Sequence, residues 1–191
     1  MLGYSSTDII QALKSGDISI SDFDPKRLGA NSYDVILGRY FYEVLWVGDQ
    51  PWYVGPIMAE DGQFVTVPVG GTLLAMTRDV VGTFGKITAI MKAKSSTGRR
   101  GIAVCKCAGL GDIGYHNHWT MEMTGFTRIG TPTVQVGKPI AQLAFYECKS
   151  PPIEPYQGQY RIEDWPLCMV PEKDRSRIVS SRSLIPGIQE V

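Results

Sequence analysis

The sequence lacks net charge, long apolar runs and a leader-like start. Nineteen Lys and Arg residues balance nineteen Asp and Glu residues, so no overall field would hold the chain on a nucleic-acid backbone or an anionic membrane. No apolar stretch approaches the roughly 20 residues that span a bilayer, and the opening MLGYSSTDII has neither the basic nor the apolar block of a signal peptide. We therefore predict a cytoplasmic protein that binds neither nucleic acid nor membrane.

Cysteine is also scarce. The four cysteines are Cys105, Cys107, Cys148 and Cys168. Because a reducing compartment keeps such thiols free, we expect no disulfide. Cys105-x-Cys107 and His116-x-His118 could each point to one side of a strand, but neither pair has a usual zinc spacing, C-x2-4-C or H-x3-5-H. Core thiols and solvated histidines are the alternative, and we predict no metal site in the protein.

One short helix and many short strands are predicted. Thr7 to Lys14 has apolar residues at helical spacing, with Ser6 or Thr7 as the N-cap and Gly16 just past the end. From residue 18 to about residue 147, β-branched and aromatic runs alternate with Gly, Pro and Asp. Examples are Val35–Leu37, Tyr40–Val47, Phe64–Val67, Thr72–Met76, Lys86–Met91, Ile102–Cys107, His118–Met123 and Ile140–Tyr146. The chain is thus predicted to be mainly β, as a sandwich, jelly roll or barrel.

Length and composition indicate one domain followed by a tail. A chain of 191 residues with 43% hydrophobic content is long enough for one substantial core and short for two. Beyond residue 150, the runs PPIEPYQGQYR and PEKDRSRIVSSRS cannot bury enough apolar surface to form a second core. We predict a β domain over residues 1–150 and a C-terminal tail or lid over residues 151–191.

Residues 93–102, AKSSTGRRGI, combine hydroxyl side chains, two glycines and three cations between predicted strands. Small residues expose backbone N–H groups, and Arg supplies forked donors, so the run suits a local phosphate cradle. The alternative is a solvated turn with basic residues. Composition alone does not separate the two interpretations.

Residues 108–123, AGLGDIGYHNHWTMEM, place a carboxylate in an apolar strand. A glycine-dense turn that carries Asp112 leads into the strand, where alternation puts Glu122 on the face opposite Met121 and Met123. Burial raises the pKa of an unpaired Glu above its free value of about 4.3, which suits a proton shuttle near neutral pH. The alternative is an exposed Glu on the polar face of an antiparallel strand.

Residues 136–147, VGKPIAQLAFYE, predict a strand that carries a single amide, Gln142. The amide could bind a ligand, or it could satisfy a neighbouring backbone group. From the residues alone, the structural role is the default.

Taken together, these segments resemble the dCTP deaminase family, and more closely its bifunctional dCTP deaminase/dUTPase branch, within the trimeric dUTPase superfamily. LGANSYDVILG, residues 28–38, looks like the family segment in which a small-residue turn precedes a buried Asp, here Asp34. SSTGRRGI looks like the phosphate-binding S-S-x-x-R-x-G segment, and AGLGDIGY with TMEM looks like the A-G-x-x-D-x-G-[FY] turn and the T-L-E-L strand. GKPIAQLAF and PYQGQY look like the last core strand and the start of the tail.

The resemblance implies a distorted jelly-roll, dUTPase-like β-barrel that assembles as a homotrimer with active sites at subunit interfaces. It implies that Glu122 takes a proton from the water that attacks C4 of cytosine and delivers it to N3. Ser95 would help to hold that water, and Arg99 would stabilise the charged arrangement near Glu122 or the phosphates. Asp112 would receive the 3′-hydroxyl of deoxyribose and orient a second water toward the α-phosphate.

The resemblance also implies a set of substrate-binding residues. They are Lys94, Ser96, Ala108, Gly109, Tyr115, Gln142, Tyr156, Gln157 and Tyr160. Within this set, Tyr115 would pack against the sugar, Ser96 and Gln142 would bind phosphate oxygens, and the last three would belong to the lid. Lys94 stands where the family usually has Arg, which keeps the charge but loses the bidentate fork. Mg²⁺ would be held by the triphosphate and water rather than by side chains.

The resemblance favours two activities in one chain. The deaminase-only branch typically has His-Arg where this chain has Gly109-Leu110, and Gln142 looks more like the bifunctional strand. The zinc deaminase signature, H-x-E followed by P-C-x-x-C, is absent from the sequence. We therefore predict zinc-independent deamination of dCTP coupled to hydrolysis of dUTP to dUMP and pyrophosphate. A deaminase that releases dUTP, a dUTPase without deamination and a non-catalytic nucleotide-binding trimer are the alternatives.

Overall fold

The computed structural model of the protein describes residues 2–128 and 130–157. Its helices are α1 (Ser6–Ser15), α2 (Ser95–Arg99) and a 3₁₀ helix (Pro25–Arg27). The Ser5 hydroxyl accepts a hydrogen bond from the Asp8 N–H, and the Asp8 carboxylate accepts one from the Ser5 N–H at 2.8 Å. This reciprocal cap makes Ser5 the N-cap of α1, so the prediction of Ser6 or Thr7 is wrong. No helix in this part of the chain is long and apolar enough to cross a bilayer.

The strands build one large antiparallel sheet and one small one. In chain order they are β1 (Leu2–Gly3), β2 (Ile18–Ile20), β3 (Tyr33–Val47), β4 (Gln50–Met58), β5 (Phe64–Thr66), β6 (Thr72–Thr83), β7 (Ile87–Ala93), β8 (Ile102–Ala103), β9 (Leu110–Gly111), β10 (His116–Gly125), β11 (Thr133–Gln135) and β12 (Pro139–Glu147). The large sheet has the order β8-β10-β6-β3-β12-β7-β9, with β1 on β12, β2 on β6 and β4 on β3. Strands β5 and β11 form the small sheet. The predicted mainly β class is confirmed.

The core lies on one face of the large sheet. Alternate side chains of β3, including Val35 and Leu37, are fully buried, as are Met121 on β10 and Leu143 on β12. Helix α1 adds Ile9, which is also fully buried, to the same core. The intervening side chains on these strands therefore face away from the core. We call this side of the sheet its outer face, and it carries polar residues.

Several parts of the strand prediction differ from the structure. The predicted runs Val35–Leu37 and Tyr40–Val47 belong to one continuous strand, β3. The predicted strand Ile102–Cys107 ends at Ala103, because the chain turns there and the Ala108 N–H donates to the Cys105 carbonyl oxygen at 2.7 Å. Strand β4 was not predicted, since Pro51 and Pro56 interrupt its pattern. Proline is tolerated there because β4 pairs only with β3 and lies at an edge of the described sheet.

A buried ion pair ties the 3₁₀ helix to the sheet. The Arg27 guanidinium lies 2.7 Å from the Asp79 carboxylate, and the two side chains are 10% and 2% exposed. Asp79 also accepts a hydrogen bond from the Ile36 N–H at 3.0 Å, while Arg27 lies over the Tyr33 ring. The Asp79 carboxylate on β6 thus contacts both the 3₁₀ helix and β3, which are distant from it in sequence.

Replacing Asp79 by Ala is expected to lower the free energy of unfolding by about 3–5 kcal/mol, because a buried guanidinium loses its counter-charge. Denaturant unfolding at a fixed chain concentration measures the change. The matched control is Asp61→Ala, since Asp61 pairs with Arg39 and Arg78 at the surface, where solvent screens the charges and a much smaller loss is expected. Equal losses of unfolding free energy in Asp79→Ala and Asp61→Ala would contradict a structural role for the buried Arg27–Asp79 ion pair.

Candidate active site

A cavity of about 700 Å³ opens on the outer face of the large sheet. Its walls come from four places: strands β6 and β10, the β3–β4 hairpin, the turn between Lys106 and Tyr115, and Tyr156 after the last strand. Glu122 and Asp112 both line it. The structure therefore brings together the two carboxylates that the sequence singled out.

Glu122 is placed by the alternation of β10. Met121 and Met123 on either side are fully buried in the core, so Glu122 faces the cavity and is half-buried. Its backbone position is fixed by pairing with Leu74 of β6. Burial raises the pKa of the Cys105 thiol to about 12, and the negative charge of Glu122 adds to that shift. The alternation predicted from the sequence is confirmed, and Glu122 borders a cavity rather than lying on an open surface.

The turn that carries Asp112 is tied to β7. The Met91 N–H donates to the Gly109 carbonyl oxygen at 2.7 Å, and the Thr88 hydroxyl donates to the Gly111 carbonyl oxygen at 2.8 Å. A Cβ at position 109 would lie 2.6 Å from the Met91 carbonyl oxygen, so this approach requires glycine. Asp112 itself is exposed at the mouth of the cavity. The glycine-rich turn thus presents a carboxylate on a firmly attached backbone.

A second polar cluster lies away from this cavity. Gln142 on β12 is half-buried and pairs across the sheet with Asp34 of β3 and Lys92 of β7. Lys94 forms an ion pair with Asp34, which is half-buried rather than buried as the sequence predicted. Just beyond Lys94, helix α2 exposes Ser95, Ser96 and Arg99.

Of the predicted site residues, one group lines the cavity. It contains Ala108, Asp112, Tyr115, Glu122 and Tyr156. The residues of the second cluster, together with Gly109 and Gln157, are not among the lining residues. Tyr160 lies outside the described residues, as does most of the predicted tail. Within one chain, the predicted catalytic carboxylates and the predicted phosphate-binding cations are therefore separate.

Sequence reasoning missed the wall formed by the β3–β4 hairpin. Val44 and Trp46 on β3, with Pro51 and Tyr53 on β4, line the cavity. Trp46 is 69% exposed. Alternation along residues 44–47 could have marked one face of β3, but the pairing that brings β4 to the cavity is visible only in three dimensions.

The cysteine and histidine pairs do not converge. Cys105 is buried whereas Cys107 is exposed, because both lie in the turn after β8 rather than in a strand. The His118 Nδ1–H donates to the Thr77 carbonyl oxygen at 2.8 Å, and burial lowers the pKa of His118. Within residues 2–128 and 130–157, no three His, Cys, Asp or Glu side chains are grouped to hold a metal ion.

The fold and the site define a mainly β protein with an acidic cavity on the outer face of a curled antiparallel sheet. Residues 4–148 match the family described as dCTP deaminase-like. The chain belongs to this family.

Relatives in this family cover most of the chain. A "dCTP deaminase, dUMP-forming" from Bifidobacterium longum is 32% identical over 165 residues, which are 80% of this chain and 82% of the relative. A protein of the same name from Clavibacter michiganensis is 29% identical over 167 residues, 82% of each chain. A "dCTP deaminase" from Natronomonas pharaonis is 32% identical over 169 residues, 81% of this chain and 85% of the relative.

The crystal structure of 2′-deoxycytidine 5′-triphosphate deaminase from Agrobacterium tumefaciens has a similar fold. The TM-score is 0.58 at 18% identity, and the match covers 75% of this chain. It spans 47% of the length of that solved chain. The likeness supports the predicted dUTPase-like fold class.

Proposed function

We propose that the protein deaminates dCTP and hydrolyses the resulting dUTP to dUMP and pyrophosphate, without zinc. The observation that carries the proposal is that Glu122 and Asp112 line one cavity. The names of the Bifidobacterium and Clavibacter relatives, dCTP deaminases that form dUMP, support both steps.

Deamination would use Glu122 as acid and base. Its carboxylate takes a proton from water, the water oxygen bonds to C4 of cytosine, and the carboxyl returns the proton to N3. The carboxylate then takes the proton of the new C4 hydroxyl and passes it to the amino nitrogen N4. The C4–N4 bond breaks, ammonia leaves and a carbonyl remains at C4, which makes the base uracil. Ala108 lines the cavity, and its carbonyl oxygen would hold the base edge, since its N–H already donates to the Cys105 carbonyl oxygen.

Hydrolysis would use Asp112. Its carboxylate accepts a hydrogen bond from the 3′-hydroxyl of deoxyribose and orients a water toward the α-phosphorus. That water displaces pyrophosphate, which yields dUMP. Tyr115, which lines the same part of the cavity, would pack against the sugar and leave no room for a ribose 2′-hydroxyl.

The cavity of one chain has little positive charge with which to bind a triphosphate. Among residues 2–128 and 130–157, its lining contains two carboxylates and one cation, Lys106, whose ammonium donates to the Thr72 hydroxyl. The exposed Arg99 and its neighbouring hydroxyls on α2 lie elsewhere on the same chain. We therefore propose that a second copy supplies Lys94, Ser95, Ser96, Arg99 and Gln142 to each cavity. Such a head-to-tail contact closes into a ring, and the proposed ring is a homotrimer.

Complementation tests this shared site. Chains with Glu122→Gln and chains with Arg99→Ala should each be inactive in deamination, because each spoils every site. When the two are co-expressed, about a quarter of the sites receive both native residues. Ammonia release should return to about that fraction of the native rate. Mixed assemblies that stay inactive would rule out a site built from two chains.

Magnesium would enter with the substrate. The described residues contain no group of three side chains that could hold a metal ion. The proposed Mg²⁺ would therefore be held mainly by phosphate oxygens and water. When bound, Mg²⁺ would neutralise phosphate charge. The chain's own residues would then orient the triphosphate through Arg99 and Gln142.

Product analysis tests the proposed function. Purified protein incubated separately with dCTP and with dUTP should yield dUMP and pyrophosphate from both, and ammonia from dCTP alone. Accumulation of dUTP from dCTP would leave only the deaminase, the activity named for the Natronomonas relative. Turnover of dUTP without ammonia from dCTP would leave only a dUTPase. A melting shift with nucleotide but no product would indicate a binding protein.

A further inference from the structure

The segment after the last strand packs against the turn that carries Asp112. The Tyr156 N–H donates to the Ile113 carbonyl oxygen at 2.8 Å. The Tyr156 ring lies 5.4 Å from the Tyr115 ring, centroid to centroid, in an edge-to-face arrangement at 76°. Tyr156 therefore contacts the turn through both its backbone and its side chain.

Tyr115 links this contact to the rest of the site. Its ring is also edge-to-face with Trp119 of β10, at 5.7 Å, and its hydroxyl donates to the His118 carbonyl oxygen at 2.8 Å. The Tyr115 N–H donates to the Asp112 carbonyl oxygen at 3.0 Å. A displacement of Tyr115 would therefore be passed directly to the backbone of Asp112.

Gly114 allows the close approach of the segment. Its φ is +95°, and a Cβ there would lie 2.8 Å from both the Pro155 Cβ and the Tyr156 nitrogen. Any other residue would be strained and would also push Pro155 and Tyr156 away. Gly114 thus lets the turn pack closely against Pro155 and Tyr156.

Glu122 does not depend on this contact. Its backbone is held by the pairing of β10 with β6, through Leu74. Asp112, in contrast, lies in a turn whose far side is covered by Tyr156. Loss of the Tyr156 ring should therefore affect the two carboxylates unequally.

We infer that Tyr156 is a positioning residue for hydrolysis, which holds Asp112 in place through Tyr115. The inference rests on the proposed function, and it gives Tyr156 a role on the turn of its own chain rather than in a lid over the substrate. The edge-to-face ring pair and the Tyr156 backbone hydrogen bond add to the two backbone hydrogen bonds that join this turn to Thr83 of β6, at 2.7 and 3.3 Å.

The test compares Tyr156→Ala, Tyr156→Phe and a control, Ile153→Ala, whose side chain is fully exposed in the same segment. In Tyr156→Ala, hydrogen exchange at the Gly114 and Tyr115 amides should be about five- to tenfold faster without nucleotide. The kcat for dUTP hydrolysis should fall by about tenfold or more, and by at least about fivefold more than the kcat for dCTP deamination, because the backbone of Glu122 is held by β6. Tyr156→Phe should restore both values, since it keeps the ring.

Unchanged amide exchange in Tyr156→Ala would overturn the anchoring. Faster exchange with an equal fall in both kcat values, or with neither altered, would overturn the positioning of Asp112. If the native protein turned over neither nucleotide, the proposed function would fail. The exchange rates would still decide whether Tyr156 holds the turn.

Discussion

Replacing Glu122 by Gln is expected to slow ammonia release from dCTP by about 10²- to 10⁴-fold, the range for one general acid/base. The amide has nearly the same shape but cannot take the proton from water at neutral pH. Hydrolysis of dUTP should stay within about twofold of the native rate, because the contact proposed for Glu122 is with the base and not with the phosphates. Ammonia release and pyrophosphate release, measured on the same preparation, give both numbers.

A matched control separates chemistry from folding. Glu147 is another half-buried glutamate at the end of a strand, β12, and it lies outside the cavity. Glu147→Gln should keep both activities. Native rates of ammonia release in the Glu122→Gln variant would end the role given to this carboxylate, whatever the control shows.

Replacing Asp112 by Asn is expected to have the second largest effect, on the other reaction. An amide can still accept the 3′-hydroxyl hydrogen bond, so the KM for dUTP should change by less than about threefold. It orients and polarises water poorly, and kcat for hydrolysis should fall by about 10²-fold or more. dCTP should then be converted to dUTP that accumulates, which chromatography detects directly.

Asp49 provides the comparison for this variant. It is an exposed aspartate at the tip of the β3–β4 hairpin, so Asp49→Asn makes the same chemical change away from the proposed sugar site. Equal hydrolysis by Asp49→Asn and Asp112→Asn proteins would contradict the assignment of Asp112. A fall in deamination as large as that in hydrolysis would instead indicate that Asp112 serves both reactions.

The fold class and the orientation of Glu122 were predictable from local patterns. Alternation along β10 depends only on the two-residue repeat of a strand, and the burial of Met121 and Met123 confirms it. The family was also predictable, because several motifs occur in one order, and the match over residues 4–148 confirms it.

The errors arose where tertiary structure overrides local preference. Val104 and Cys105 are buried, as residues of a strand would be, yet they lie in a turn because the chain must pass from β8 to β9 on β7. The N-cap of α1 moved to Ser5 because Asp8 completes a reciprocal cap there. Apolar residues report burial more reliably than they report the element that is buried.

The composition of the complete site could not follow from local patterns. The carboxylates are on one surface of the chain and the cations of α2 on another, so the proposed site depends on how copies meet. The β3–β4 wall depends on a hairpin whose second strand contains two prolines. The first feature depends on the proposed contact between chains, and the second depends on the pairing of β3 with β6, which is distant in sequence.

Trp46 projects from the hairpin into the mouth of the cavity and is 69% exposed. Indole emission depends on the polarity around the ring, so a nucleotide that displaces water from this wall changes the fluorescence of the protein. The molecule thereby contains its own optical probe of occupancy, readable with a non-hydrolysable substrate analogue. Affinity can be titrated in this way in variants that no longer turn over.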